Sequence, residues 1–318
     1  MASNSADDMP STCAARRKDD AWNYERIVSE LRTPDQGARF AEKHGLIPKT
    51  MVCPIHKTLM NRSKGGKFGF FVCRRGTCMS RPRVSVAAGT WFEQTRISVP
   101  HIFYLMYCFV ENLTKETVQR KDFCEEGKTL SSSTITDWYN YCREAVVIYQ
   151  LDHQDASGEI GGPGRIVQIN KRKFGKRKLN DGNQGEDHWL LGMIEDESED
   201  LRLEVCPDNV RSAKVLIPLI KKHVAEGTTI RTDCLGAFEG LSDFGFTHLL
   251  LDVVDVTRTQ RIESQWADVK RFFSTRANHT GKFADILVEY LWRKSVKKAN
   301  KDPFLALIEC IKYMYETE

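Results

Sequence analysis

Ile166 to Asn170 reads I-V-Q-I-N, a short β-branched apolar run that breaks at once into K-R-K-F-G-K-R-K. A run of this length and composition predicts a buried strand rather than a helix, with a hairpin-like turn at Phe174-Gly175. A buried strand needs pairing partners, so the segment requires a sheet around it. Its last residue meets cationic side chains, which suits chemistry on phosphate. Two later stretches share this shape: Thr228 to Asp233 is a β-rich run ending in an acid, and Arg261 to Arg271 is helical, with Ile262, Trp266 and Val269 on one face and Glu263 beside it. Acids at the ends of adjacent strands, with a third on a helix packed across them, can gather around two divalent ions and act on a phosphodiester.

The intervening pattern supplies the rest of a domain over residues 163–300. Strands are predicted near 166–170, 188–195 and 201–206, then a helix at 210–225. A strand at 228–232, a short helix at 235–240, a strand at 246–251 and a long helix at 260–275 follow. Three successive antiparallel strands followed by alternating helix and strand is an RNase H-like order, which implies a multidomain α/β chain ending in a mixed sheet with helices on its faces. Residues 283–296 form another amphipathic helix with Trp292 as a core anchor, and residues 301–318 a C-terminal helix. The acid-dense run Glu195 to Asp200 reads as a solvated turn, and Asp252 and Asp255 as groups behind the three candidates.

Ahead of this domain the chain divides into shorter pieces. Residues 1–20, rich in Ser, Asp and Ala, predict a disordered tail. Residues 21–46 predict two short helices broken at Pro34, either a clasp on DNA or a second protomer or simply a cover for the next domain. Residues 47–92 carry Cys53-x2-His56 and Cys73-x4-Cys78 on either side of a hairpin-length insert with a strand at 68–72. Two close pairs of soft or borderline ligands are what a zinc ribbon holding one structural Zn²⁺ requires; the alternative is buried cysteines and a surface His. Arg74, Arg75, Arg81 and Arg83 place cations beside the second pair. Residues 93–152 predict three helices, at 100–112, 114–125 and 133–149, with a polar turn at Glu126 to Lys128 and Ser133 as the cap of the third. They fit a helix-turn-helix presenting Ser132, Thr134, Thr136, Asn140 and Arg143 to DNA, or a plain three-helix bundle.

The net charge of +4 over 318 residues is modest, so affinity for nucleic acid must come from clusters such as Lys171, Arg172, Lys173, Lys176, Arg177 and Lys178. No stretch approaches the about 18 apolar residues of a membrane span. With no signal-peptide core at the start, the ten cysteines read as thiols and metal ligands, and an intracellular address is expected: the nucleus in a eukaryote, otherwise the cytoplasm. No Ser/His/Asp or Cys/His catalytic arrangement is discernible.

Taken in order, G-G-P-G-R-I-V-Q-I-N-K-R-K-F-G-K-R-K, H-W-L-L-G-M-I-E, T-T-I-R-T-D-C, R-T-Q-R-I-E-S-Q-W and Y-L-W-R-K resemble the Merlin superfamily of cut-and-paste DNA transposases and the bacterial insertion-sequence transposases related to it, over roughly residues 40–300. The resemblance implies binding of terminal inverted repeats, then Mg²⁺- or Mn²⁺-dependent cleavage and strand transfer into target DNA. It also implies a homodimer or higher assembly, because paired ends need paired sites. The catalytic residues it implies are Asp233, Glu263 and position 170, with two metal ions per site when Asp occupies 170. This chain departs there: Asn170 stands where the family has its first Asp, and Lys171 where an acid usually follows. Two other readings remain, a transposase-derived sequence-specific DNA-binding protein that no longer cuts, and an RNase H-like nuclease or resolvase that hydrolyses without joining.

Overall fold

The structure is a computed structural model describing residues 21–78, 83–123, 129–153, 158–174, 187–233, 236–250, 260–274 and 283–316. The predicted tail at 1–20, the turn at Glu126 to Lys128, and Arg81, Gly175, Lys176, Arg177, Lys178, Asp252 and Asp255 lie outside them. The chain divides into two compact units, Met1–Thr136 with Phe304–Ile308, and Asp137–Pro303 with Glu309–Glu318.

In the first unit, α1 (Tyr24–Glu30) starts where the Asn23 side chain accepts from the Arg26 N–H. α2 (Pro34–Lys43) starts with a reciprocal cap between Thr33 and Gln36. Pro34 is therefore the opening residue of the second helix as well as the break after the first; its missing N–H costs nothing there. Three short strands, β1 (Asn61–Ser63), β2 (Phe70–Val72) and β3 (Arg83–Ser85), form an antiparallel sheet in that order. α3 (Val99–Val110) is buried along its whole length, as an all-apolar helix must be. α4 (Lys115–Arg120) ends well before residue 125. α5 (Ser132–Asp152), which belongs to this unit only as far as Thr136 and to the second from Asp137, begins earlier than expected, because the Ser131 hydroxyl accepts from the Thr134 N–H at 3.1 Å; Ser131, not Ser133, is the cap.

In the second unit the elements are β4 (Ile160–Gly161), β5 (Ile166–Phe174), β6 (His188–Glu195), β7 (Leu201–Val205), α6 (Ala213–His223), β8 (Val224–Ala225), β9 (Thr229–Thr232), β10 (Thr247–Leu250), α7 (Gln260–Ser274), α8 (Phe283–Lys298) and, apart from its Phe304–Ile308 stretch, α9 (Pro303–Glu316). The main sheet runs β10-β9-β5-β6-β7. β6 runs antiparallel to both β5 and β7, while β9 and β10 run parallel to β5. This mixed sheet is consistent with an RNase H-like core. One face packs Val167, Ile169, Leu191, Met193 and Ile230 against Leu216, Ile217 and Ile220 of α6. The other packs Phe174, Leu190, Ile194 and Leu203 against Ile262, Trp266 and Val269 of α7 and Leu287 and Tyr290 of α8. Each fully buried large side chain contributes about 1.5–3 kcal/mol, so the two layers hold the sheet between them.

Three expectations need correction. β5 does not end at Asn170 but continues to Phe174, paired residue by residue with β6 as far as His188. The cationic run is strand because only alternate residues face α7, so Phe174 can bury while Lys173 stays exposed. No α-helix forms at 236–240; a 3-10 turn at Leu241–Phe244 stands instead, flanked by left-handed Gly240 and Gly245. The acidic run after β6 is not simply solvated. Glu195 is buried and accepts from the Gly161 N–H (3.2 Å), the Arg165 guanidinium (2.9 Å) and the Ser198 hydroxyl. Asp196 accepts from Gln168 (2.5 Å) and Arg231 (3.3 Å).

Candidate functional site

On the α7 side of the main sheet, β5 and β9 run parallel with Gln168 opposite Arg231 and Ile169 opposite Thr232. Asn170 follows on β5 and Asp233 is the first residue after β9; Asp233 is exposed and Asn170 buried. Glu263, in the first turn of α7, completes the locus. The Asn170 amide NH₂ donates to Glu263 Oε1 at 3.0 Å. Two residues on, and so on the same face of β5, Arg172 Nη1 donates to Glu263 Oε2 at 2.5 Å.

A glycine explains how α7 comes so close. Gly192 is the β6 partner of Asn170, and a Cβ there would stand 2.7 and 2.8 Å from ring carbons of Trp266 and 3.1 Å from Ile262 Cδ1. Only a residue without a side chain lets α7 lie on the sheet at this point. The packing of Trp266 and Ile262 onto Gly192 thus sets the height of Glu263 above Asn170.

The neighbouring cations have partners too. Lys171 Nζ lies 4.9 Å above the Phe238 ring, and Lys173 pairs with Asp187 at 2.5 Å. His248 on β10, which no sequence signal singled out, sits 2.8 Å from the Thr232 hydroxyl just before Asp233, and burial lowers its pKa.

A pair of hard divalent ions does not fit this donor set as it stands. Such ions take carboxylate, carbonyl and water oxygens. Here position 170 is a neutral amide with its NH₂ turned toward Glu263, and both Glu263 oxygens already accept N–H donors.

In the first unit, Cys53, His56, Cys73 and Cys78 form the one such metal-binding group among the described residues, their ligand atoms all within 4.8 Å of one another. His56 Nδ1 stands 3.8 Å from the sulfurs of both Cys53 and Cys73. A tetrahedral ion with bonds of about 2.3 Å to sulfur requires ligand separations of about 3.8 Å, so the spacing fits. The local chain makes the pocket: Lys57, at φ 52°, returns its N–H to the Cys53 carbonyl (2.9 Å), and Cys78 returns its own to Arg75 (2.9 Å). His56 Nε2, 3.3 Å from the Thr77 hydroxyl, leaves Nδ1 for an ion. The His56 N–H on its sulfur is the main cause that draws the Cys53 thiol down to about 6. The Arg75 N–H favours a Cys73 thiolate, but burial and the adjacent Cys78 and Cys53 outweigh it and push that thiol up. Arg74 and Arg75 are exposed beside the cluster, while Arg83 lies 3.8 Å over the Phe70 ring.

Among the predicted DNA contacts on α5, Ser132 is exposed and Thr134 and Thr136 are half-buried. Thr136 donates to the Ser132 carbonyl at 2.7 Å, and Thr134 lies 2.8 Å from the Ser131 hydroxyl. Arg143 is a correction. It is only 4% exposed, donating to Glu289 (2.7 Å) and to Asn140 (2.8 Å), while Arg293 donates to the same fully buried Glu289 at 2.9 Å. It is a core cation. A Ser/His/Asp alignment also exists: His101 stands 3.0 Å from Ser98 and 3.1 Å from Asp122. Ser98 caps α3 and His101 is buried, so the alignment is a helix-start brace.

Residues 155–293 match the model of the ISXO2-like transposase domain. The match supports a DDE-type transposase family and a transposase-related function; that family implies DNA binding and divalent metal use. The chain is also 25% identical over 163 residues to Male abnormal protein mab-31 of Caenorhabditis elegans, covering 47% of this chain and 36% of that one. It thus spans little more than a third of the length of this curated relative. A chain of the simian T-cell lymphotropic virus intasome solved with PP2A regulatory subunit B56 gamma is 15% identical, covering 51% of this chain and 58% of that chain at a TM-score of 0.27, too loose a superposition to bear on the fold. No helix among the described residues is long and apolar enough to cross a membrane.

Proposed function

We propose that this chain is a cut-and-paste DNA transposase of Merlin type that binds its transposon ends and is impaired in cutting them. The observation that carries the reading is the transposase-domain match over 155–293, which spans the junction of β5, β9 and α7 where Asn170, Asp233 and Glu263 stand. The Cys53, His56, Cys73 and Cys78 donor set suits one structural Zn²⁺, which would tie the two knuckles together. Arg74, Arg75 and Arg81 beside it, with Lys176, Arg177 and Lys178, neutralise phosphates, whereas Arg172 and Lys173 are committed to Glu263 and Asp187. The start of α5, with Ser132, Thr134 and Thr136, reads the end sequence. Two ends must be handled together, so the working unit is a dimer or larger, in the nucleus if the host is eukaryotic.

A second reading, a transposase-derived DNA-binding protein without nuclease activity, is favoured by one observation: both oxygens of Glu263 are held by Asn170 and Arg172. Fluorescence anisotropy with the terminal repeats flanking the gene, against scrambled DNA, tests recognition; the same ends incubated with Mg²⁺ or Mn²⁺ test cutting. Preferential binding without nicking is expected. Replacing Lys176, Arg177 and Lys178 by Ala should reduce the salt slope by about 0.9 for each phosphate contact removed. No preference for the ends overturns the transposase reading, and efficient cutting overturns the impairment.

A further inference from the structure

We propose that Arg172 acts as a built-in cation on the Glu263 carboxylate and, with the Asn170 amide, holds the locus closed to divalent ions. Position 170 alone then does not decide metal binding. The inference rests on reading Asn170, Asp233 and Glu263 as the metal locus of a transposase-type site.

The strand period places Asn170 and Arg172 on one face of β5, and this is the face that α7 covers at Glu263. One Glu263 oxygen accepts the amide and the other accepts the guanidinium, so an incoming cation meets an N–H donor on each oxygen and a positive charge beside one of them. Glu263 lies in the first turn of α7. An ionised carboxylate there attracts any cation within reach. Arg172 is tethered two residues from Asn170, so its guanidinium is always present at high local concentration. A divalent ion arriving at Glu263 has to displace it and then remain beside its positive charge. Lys171 does not share this role, because it projects from the opposite face toward Phe238.

The pair does little for folding. Arg172 and Glu263 side chains are 46% and 48% exposed, and pairs so exposed contribute little to stability. Arg172 can therefore be replaced without loss of the fold, which separates occupancy of the locus from structural support.

The test is Mn²⁺ binding to the full-length, zinc-loaded chain, followed by electron paramagnetic resonance of free Mn²⁺, with circular dichroism confirming the fold of each variant. The unchanged chain should bind no stoichiometric Mn²⁺, and Asn170→Asp should bind weakly. Asn170→Asp with Arg172→Ala should bind at least about tenfold more tightly than Asn170→Asp alone, since one repelling charge has left the locus. Asn170→Asp with Arg172→Lys retains the charge and should stay with the weak binder. Adding Glu263→Gln to the tight variant should abolish the gain, assigning it to this locus and not to the Cys/His cluster. Equal affinity of Asn170→Asp with and without Arg172→Ala overturns the proposal, as does a double variant that binds no ion. End-DNA binding is read on the same variants without divalent metal. If the Mn²⁺ series behaves as stated and no variant recognises ends, the functional reading fails while the role of Arg172 stands.

Discussion

Gly192→Ala tests whether close packing of α7 positions Glu263. Gly192 is in extended strand outside the left-handed region, so alanine meets no backbone strain, and in a strand it would ordinarily gain a few tenths of a kcal/mol or more over glycine. The structure reverses that sign. The added Cβ would stand 2.7 and 2.8 Å from Trp266 ring carbons, where carbon contacts prefer about 3.5–4.0 Å. Trp266 is 1% exposed and cannot swing aside, so α7 must lift by about 0.7–1 Å. Overpacking of this kind costs about 1–3 kcal/mol. The same lift would stretch the 3.0 Å bond from Asn170 to Glu263 beyond hydrogen-bonding range. Urea unfolding followed by tryptophan fluorescence measures the cost. Trp266→Phe removes the carbons in conflict, so Gly192→Ala should be much less harmful in that background, with a coupling of about 1 kcal/mol or more. A Gly192→Ala chain as stable as the original, or additive costs in the double variant, would refute the reasoning.

Two other perturbations have defined outcomes. Cys73→Ser should remove stoichiometric zinc and, because so small a module depends on its ion, unfold the β1-β2-β3 unit; a full zinc complement by elemental analysis in this variant would contradict the ligand assignment. At Glu195, burial favours the neutral acid, but the Ser198 hydroxyl, the Arg165 guanidinium and the Gly161 N–H outweigh it and hold the pKa below the ordinary range. Its folded pKa is depressed, so this stabilisation is complete above the ordinary Glu value of about 4.3 and is lost as pH falls through the depressed value. Glu195→Gln should flatten that acid limb in denaturation titrations from pH 6 to 2, and an unchanged limb would count against the network.

What the sequence exposed and what it hid follow from how far apart the interacting residues lie. The Cys/His cluster was legible because chain spacing alone brings each pair of ligands together, and the strand and helix carrying Asp233 and Glu263 were legible because their apolar periods do not depend on a partner. The extent of β5 was hidden. Lys171, Arg172 and Lys173 have the composition of a loop, and only the ladder to β6 and the burial of Phe174 make them strand. Every misjudged charge had its partner far along the chain. Arg143 meets Glu289, Glu195 meets Arg165 and Gly161, and Arg172 meets Glu263, pairings that no local pattern announces. Such errors bear directly on function, because a cation counted as a phosphate contact is already committed to a carboxylate. At position 170 the two levels combine. The sequence identifies an amide where the resembled family has an acid, and the structure adds that the amide and Arg172 take both oxygens of the same glutamate. One residue change does not undo a site closed from two sides.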